Sequence, residues 1–304
     1  MSWRILTLTN PCRICVRHKQ LHWTGDAGGV QDIPLEDIAV VMLENPQTQI
    51  TSTLMSELAE NDVVVFSCDA SHLPNGAFFP FHNNSRYTEI AHAQIASSLP
   101  FRKRMWQEIV KQKIRNQSAI LKLCDNPAYK RLEILAENVA SGDTKNIEGL
   151  AARIYWSALW ENFNRSDDAD VRNHALNYGY AILRGCVARS AVGAGLLPFY
   201  GVHHCNKLDN FCMVDDMIEP WRPFVDFIVL SFDFDGCAHL TPNIKQRLVS
   251  VLLHSCAFGG VRHSVLNAMP LYAESVATCF CNKNLDALKL PSIKSAPEIV
   301  NTQN

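Results

Sequence analysis

Residues 195–223 read GLLPFYGVHHCNKLDNFCMVDDMIEPWRP, and the rest of the chain is organised around them. Gly195 and Pro198 end the preceding helix and fix a turn. A short extended piece, Tyr200 to Val202, then delivers His203 and His204. After a loop over Asn206 to Asn210, the stretch Phe211 to Glu219 predicts one or two helical turns. Asp216 and Glu219 stand three apart, so on a helix they share a face. Pro220 and Pro223 stop or kink that segment. An imidazole nitrogen and carboxylate oxygens gathered in this way suit a divalent metal.

Upstream, the pattern is helical as far back as Ser85. Arg172 to Ala194 predicts a long helix that runs straight into the histidine turn. Arg165 to Asp170 is a polar loop before it. The segment NIEGLAARIYWSALW, residues 146–160, has Asn146 as a good N-cap, which puts Glu148 in the first helical turn. Ala151 and Ala152 are small enough to let another backbone approach, and Tyr155, Trp156 and Leu159 carry the apolar load. Asn126-Pro127 separates a helix over Tyr129 to Val139 from a longer one over Pro100 to Leu123. The longer helix puts Trp106, Val110, Ile114 and Leu121 on one face. Arg102, Lys103, Arg104, Lys111, Lys113 and Arg115 cover much of the rest. That run reads either as a solvated face or as a phosphate-binding strip.

Downstream, Phe224 to Leu230, Pro242 to Leu253 and His263 to Cys281 predict three more helices. From Pro291 the chain turns polar and loses periodicity, so residues 291–304 are expected to form a mobile tail.

The first 84 residues differ in kind. Trp3 to Leu8, Ile14 to Val16, Leu21 to Trp23, Ile38 to Leu43 and Val63 to Ser67 predict strands. Thr51 to Glu60 predicts a helix, with Leu54 and Leu58 facing inward. Pro74-Asn75-Gly76 signals a turn. The charge balance also switches. Up to residue 84 there are 4 basic and 9 acidic residues, whereas Arg86 to Lys122 holds 8 basic and 2 acidic ones. The expected class is α+β: a β-rich domain over 1–84, an all-α domain over 85–290 carrying the metal site, and the tail.

Composition narrows the class of protein. With 304 residues, 47% hydrophobic and 19% charged, the chain buries a substantial core. A net charge of −2 argues neither for nor against nucleic acid. Eleven cysteines are scattered, and the N-terminal residues lack a signal-peptide pattern, so reduced thiols and a cytoplasmic location are expected. Arg184 and Arg189 interrupt the best candidate for a membrane span. Cys12-Arg13-Ile14-Cys15 is a CxxC without a second one to complete a zinc ribbon. The absence of HExxH, GxxxxGK[ST] and GxSxG removes the common zinc-protease, nucleotide-loop and serine-hydrolase patterns.

Three pieces could converge: Glu148, His203 or His204, and Asp216 with Glu219. Each has a plainer reading. Glu148 complements a helix dipole, paired histidines pack or sit at the surface, and an acidic run is a solvated face. As a set, carboxylates plus one imidazole suit Mg2+ or Mn2+, with zinc as the competitor.

The segments NIEGLAARIYW, RNHALNYGYAILRGCVARSAVGAGLLPFYGVHH and DDMIEPWRP closely resemble CRISPR-associated protein one, the integrase and endonuclease that inserts new spacers during CRISPR adaptation. The opening SWRILTL and the later CDASHLPNG resemble its type II branch. By motif, the resemblance implies metal-ligating and catalytic roles for Glu148, His204 and Glu219, with Asp216 in support and His203 as neighbour. It implies a metal-dependent reaction in which the 3′-hydroxyl of a short duplex attacks a phosphodiester at the edge of a CRISPR repeat. Hydrolysis at the same site would make it a DNA endonuclease. The resemblance further implies a homodimer through the N-terminal domains, double-stranded DNA as substrate, a dimer of CRISPR-associated protein two as partner, and the type II effector nuclease as another. Within the basic strip, Arg102, Lys103, Arg104, Lys111 and Arg115 are the candidate DNA contacts. The alternatives are a DNA-binding scaffold without its own catalysis and a metal-dependent hydrolase of small substrates.

Overall fold

A computed structural model describes residues 4–26, 28–70, 73–78, 80, 84–296 and 298. These fall into two compact units, one up to residue 80 and one from residue 84. Trp3 lies outside the described residues.

The first unit holds β1 (Arg4–Leu8), β2 (Cys12–Arg17), β3 (Gln20–Gly25), β4 (Val30–Pro34), β5 (Ile38–Leu43), β6 (Gln49–Ile50), α1 (Ser52–Glu60), β7 (Val64–Cys68) and β8 (Pro74–Phe78). They form two four-stranded sheets, ordered β1-β5-β7-β8 and β4-β3-β2-β6. The strand β5, IAVVML, is almost wholly buried and pairs in parallel with β1 and β7. A continuous apolar run is what a strand between two parallel neighbours requires. Thr51 caps α1 by accepting the Leu54 N–H, and Leu54 and Leu58 join Ile14, Leu21, Ile33 and Ile38 in the core.

Two readings change here. Pro74-Asn75-Gly76 is not a turn but the start of β8, antiparallel to β7. The chain reverses just before it, where the Asp69 N–H reaches the Leu73 carbonyl at 2.9 Å. Proline is tolerated because β8 is a sheet edge. Cys12 and Cys15 are three apart on one strand, so their side chains leave opposite faces. That geometry is wrong for a zinc ribbon, and no disulfide joins the described cysteines.

The second unit is mainly helical: α2 (Tyr87–Ile95), α3 (Leu99–Leu123), α4 (Tyr129–Glu137), α5 (Ile147–Leu159), α6 (Val171–Gly193), α7 (Cys212–Ile218), α8 (Arg222–Val229), α9 (Pro242–Val249) and α10 (Val265–Asn282). A 3-10 turn, Glu219–Trp221, joins α7 to α8. Helix α3 starts at the N-cap Ser98 and buries Met105, Trp106, Ile109, Val110, Ile114 and Leu121. It packs against α4, α5, α8 and the Glu219–Trp221 turn. Helices α6 and α8 approach closely because Gly179 has no side chain; a Cβ there would stand 2.5 Å from Val225.

This unit is not entirely helical. The strands β9 (Ser255–Phe258) and β10 (Val261–Ser264) form an antiparallel hairpin. Its loop is Gly259-Gly260, with φ of 58° and 85°, values that glycine adopts without strain. The helix expected from His263 therefore begins at Val265, capped by Ser264. The tail expected to be mobile from Pro291 is anchored at its start. Ser292 pairs with Ala257 and Ile293 is buried. The Asn116 amide of α3 donates to the Pro291 carbonyl at 3.1 Å and accepts the Ile293 N–H at 3.2 Å. Among the described residues, no helix is long and apolar enough to cross a membrane.

Candidate active site

The histidine turn is built by the end of α6. Gly195 adopts φ of 82°, its N–H reaches the Val192 carbonyl, and the Leu196 N–H reaches the Ala191 carbonyl, each at 2.9 Å. This left-handed glycine closure ends the helix and satisfies its last carbonyls. The buried amide of Gln94 in α2 then fixes the path from Leu197 to Tyr200. It accepts the Leu197 N–H at 2.8 Å and donates to the Tyr200 carbonyl at 2.7 Å.

Asp216 of α7 organises the turn beyond it. Its side chain is fully buried, and it accepts the backbone N–H groups of Val202, His203 and His204 at 2.6, 2.9 and 3.2 Å. It also meets His204 Nδ1 at 2.6 Å. These contacts satisfy the hydrogen-bonding capacity of a side chain that has no access to water. Gly201 leaves room for it: a Cβ there would stand 2.4 Å from the His204 carbonyl oxygen and 2.6 Å from Asp216 Oδ2.

The paired histidines separate by environment. The His203 ring stacks on Trp106, centroids 4.2 Å apart and planes within 3°. His204 lines a pocket of about 380 Å3 together with Glu219. The hydrogen bond to Asp216 raises the His204 pKa above its ordinary value, against partial burial. With Nδ1 committed to Asp216, a neutral His204 keeps its lone pair on Nε2.

Glu148 stands in the first turn of α5. Asn146, at φ of 51°, caps the helix by accepting the Gly149 N–H. Asp143 accepts the N–H groups of Ile147 and Glu148 at 2.8 and 2.9 Å. The Glu148 side chain reaches the Lys113 ammonium of α3 at 2.6 Å. On its other side the same ammonium contacts Glu219 Oε2. Arg222 donates to Glu219 Oε1 at 2.9 Å. Burial works against the Glu219 carboxylate, but Lys113 and Arg222 outweigh it and hold its pKa below the ordinary value.

Glu148 and Glu219 thus meet at one positive charge, and His204 shares the Glu219 pocket. Glu148, His204 and Glu219 are not closed into a single coordination group. Among the described residues, no three His, Cys, Asp or Glu side chains surround a point that could hold a metal. The donor chemistry nevertheless fits a divalent cation, because two carboxylate oxygens already share one cationic point.

The basic strip on α3 does not act as one face. Arg104, Lys111 and Arg115 recur seven and four residues apart and share a side, whereas Arg102 lies roughly opposite. Lys111 pairs with Glu108 and Arg115 with Glu137, Arg102 lies over the Tyr200 ring, and the Lys103 stem lies against Gly142. Sequence reasoning missed a second basic group. Arg165, Arg184 and Arg222 line the pocket that holds His204 and Glu219. Arg184 is held by Asp215 at 2.7 Å. Arg165 is held by the neutral amides of Asn173 and Asn177 at 3.1 and 2.6 Å. Behind the pocket, the hydroxyls of Tyr155 and Tyr180 donate to buried Asp226, and burial pushes that carboxyl up to about 7.

Comparison with known proteins agrees with this architecture. The family model described as CRISPR associated protein Cas1 matches residues 5–234. The chain is 40% identical to the CRISPR-associated endonuclease Cas1 of Neisseria meningitidis serogroup C (strain 8013), over 96% of this chain and 97% of that one. It is 30% identical to a Cas1 endonuclease of Pyrobaculum aerophilum, over 73% and 81%. Among solved structures, a casposase bound to integration product superimposes with a TM-score of 0.77 at 18% identity, covering 99% of this chain and 96% of that one. A CAS1 protein from Thermotoga maritima gives 0.70 at 16% identity, covering 91% and 97%. The chain belongs to the Cas1 family of CRISPR-associated proteins.

Proposed function

We propose that this protein is a metal-dependent DNA endonuclease and integrase that inserts short DNA fragments as new spacers into a CRISPR array. The observation that carries the reading is the convergence of Glu148 and Glu219 on one cationic point, in contact with a pocket shared by His204 and three arginines. The similarity to the Neisseria endonuclease supports the same activity.

In this reading Glu148, Glu219 and His204 would hold Mg2+ or Mn2+. Such a cation would supply Lewis-acid chemistry there, drawing charge from the scissile phosphate and from the oxygens that gain charge during transfer. Asp216 keeps the His204 ring turned and its lone pair on Nε2. Arg165, Arg184 and Arg222 take phosphate oxygens of the DNA backbone and align the strand. The 3′-hydroxyl oxygen of the incoming fragment attacks phosphorus and its proton leaves to solvent. A new P–O bond forms as the old one breaks, releasing a 3′-hydroxyl on the cut repeat strand. One phosphodiester replaces another, so no high-energy cofactor is consumed. Water in place of the hydroxyl gives cleavage.

The assembly we propose is a homodimer through the β-rich units, bound to a Cas2 dimer and to double-stranded DNA, with the type II effector nuclease as a further partner. A chain of a Cas6-RT-Cas1–Cas2 complex shares this fold, with a TM-score of 0.69 at 18% identity over 94% of this chain and 36% of that one, and its assembly with Cas2 supports only the Cas2 part of the proposal. A second reading, a DNA-binding scaffold without catalysis, draws on the Lys113 ammonium that neutralises both acids. Incubating labelled duplex DNA with protein and Mn2+ separates the two. Cleavage that EDTA and Glu219→Gln both abolish supports the enzyme; DNA binding without cleavage supports the scaffold.

A further inference from the structure

Lys113 holds a position that the proposed chemistry does not use. It projects from α3 with its side chain 13% exposed, and its ammonium stands between an acid on α5 and an acid on the turn after α7. The two acids come from elements far apart in the chain. Two carboxylates brought this close repel one another unless a cation stands between them. Arg222 covers the other oxygen of Glu219 at 2.9 Å. Lys113 therefore supplies the charge that joins Glu148 to Glu219.

The oxygens that Lys113 engages belong to two of the residues assigned to the metal. An ammonium and a divalent ion cannot occupy the same point between them, and they repel at any nearby separation. Lysine suits a removable role. Its charge is compact, its four-carbon stem is flexible, and its hydrogen bonds lack the fixed fork of an arginine.

We infer that Lys113 is a displaceable counter-ion. In the metal-free protein it keeps Glu148 and Glu219 in register, and it must withdraw before a divalent cation takes their oxygens. The inference rests on reading Glu148 and Glu219 as metal ligands. It makes Lys113 a positioning residue whose removal strengthens metal binding while weakening the empty protein. A lysine with a merely structural role gives the opposite sign for the metal, because its loss loosens the site.

The test is calorimetric titration of Mn2+ into the full-length wild type, Lys113→Met and Glu148→Gln, with thermal melting of each in EDTA and in Mn2+. Lys113→Met is expected to bind Mn2+ on the order of tenfold more tightly than wild type, the scale of a typical coupling between two sites. Its Tm in EDTA is expected to be lower, and its gain on adding Mn2+ larger. Unchanged or weaker Mn2+ affinity in Lys113→Met overturns the inference. Lys113→Gln, which keeps a polar end, answers the same question if the methionine variant does not fold. Glu148→Gln checks the underlying reading separately: if it binds Mn2+ as wild type does, the ligand assignment falls, whatever Lys113→Met shows.

Discussion

His204 Nδ1 lies 2.6 Å from Asp216 Oδ1, and that carboxylate also accepts the backbone N–H of His204. One buried acid therefore sets both the turn that carries the ring and the direction the ring faces. The arrangement depends on the empty space at Gly201. Gly201→Ala should force the turn away from Asp216 and destabilise the protein by about 1–3 kcal/mol, read by urea denaturation. DNA cleavage should fall with it. Wild-type stability and cleavage in this variant would show that the turn adapts.

The histidines offer an internal contrast in titration. Asp216 raises the pKa of His204, whereas burial lowers that of His254. In metal-free protein, NMR should find the His204 midpoint above the ordinary 6.5 and that of His254 below it. For His204 the sign is that of a base gaining a partner. Its ion pair stabilises the fold fully below pH 6.5, and that contribution fades as pH rises through the higher folded value. A His204 midpoint at or below that of His254 would contradict the hydrogen bond to Asp216.

Asp226 makes the opposite kind of contribution. Burial raises its pKa to about 7, while the unfolded carboxyl titrates near 3.8. Between those values the folded state binds the extra proton, so stability falls as pH rises from about 4 to about 7 and then levels. The difference amounts to about 4 kcal/mol at most. Asp226→Asn removes this component. Denaturation curves across that range should show a shallower dependence on pH for the variant than for wild type. Parallel curves would mean that Asp226 is already ionised in the fold.

Arg165 is held by the neutral side chains of Asn173 and Asn177, so these contacts do not offset its charge. Arg184 and Arg222, by contrast, are paired with Asp215 and Glu219. Arg165 is therefore the pocket arginine best able to neutralise a phosphate. Arg165→Gln should weaken DNA binding in a sequence-independent way and reduce the salt slope by about one ion. An unchanged slope would place the DNA elsewhere.

The features legible in the sequence were local. Asn146 announces the first turn of α5 and so the place of Glu148, and Gly195 announces the end of α6. Charge on α3 was visible, but not its partners. Lys113 looked like its basic neighbours, and only the approach of α5 and the Glu219–Trp221 turn sets it between two acids. Arg165, Arg184 and Arg222 lie in a loop and two helices, so no sequence window shows them as a group. The Gly259-Gly260 hairpin carried a turn signal that helical periodicity around it obscured. The docking of Pro291–Ile293 depends on Asn116, some 175 residues earlier, and local polarity misread it as loose.

The most direct measurement is half-site integration of a labelled duplex into repeat DNA, with Mn2+ and the small Cas2 partner, comparing wild type with Glu148→Ala. Joined product from wild type and none from Glu148→Ala is the expected result. Joining by Glu148→Ala at the wild-type rate would contradict the assignment of the metal and its chemistry to this site.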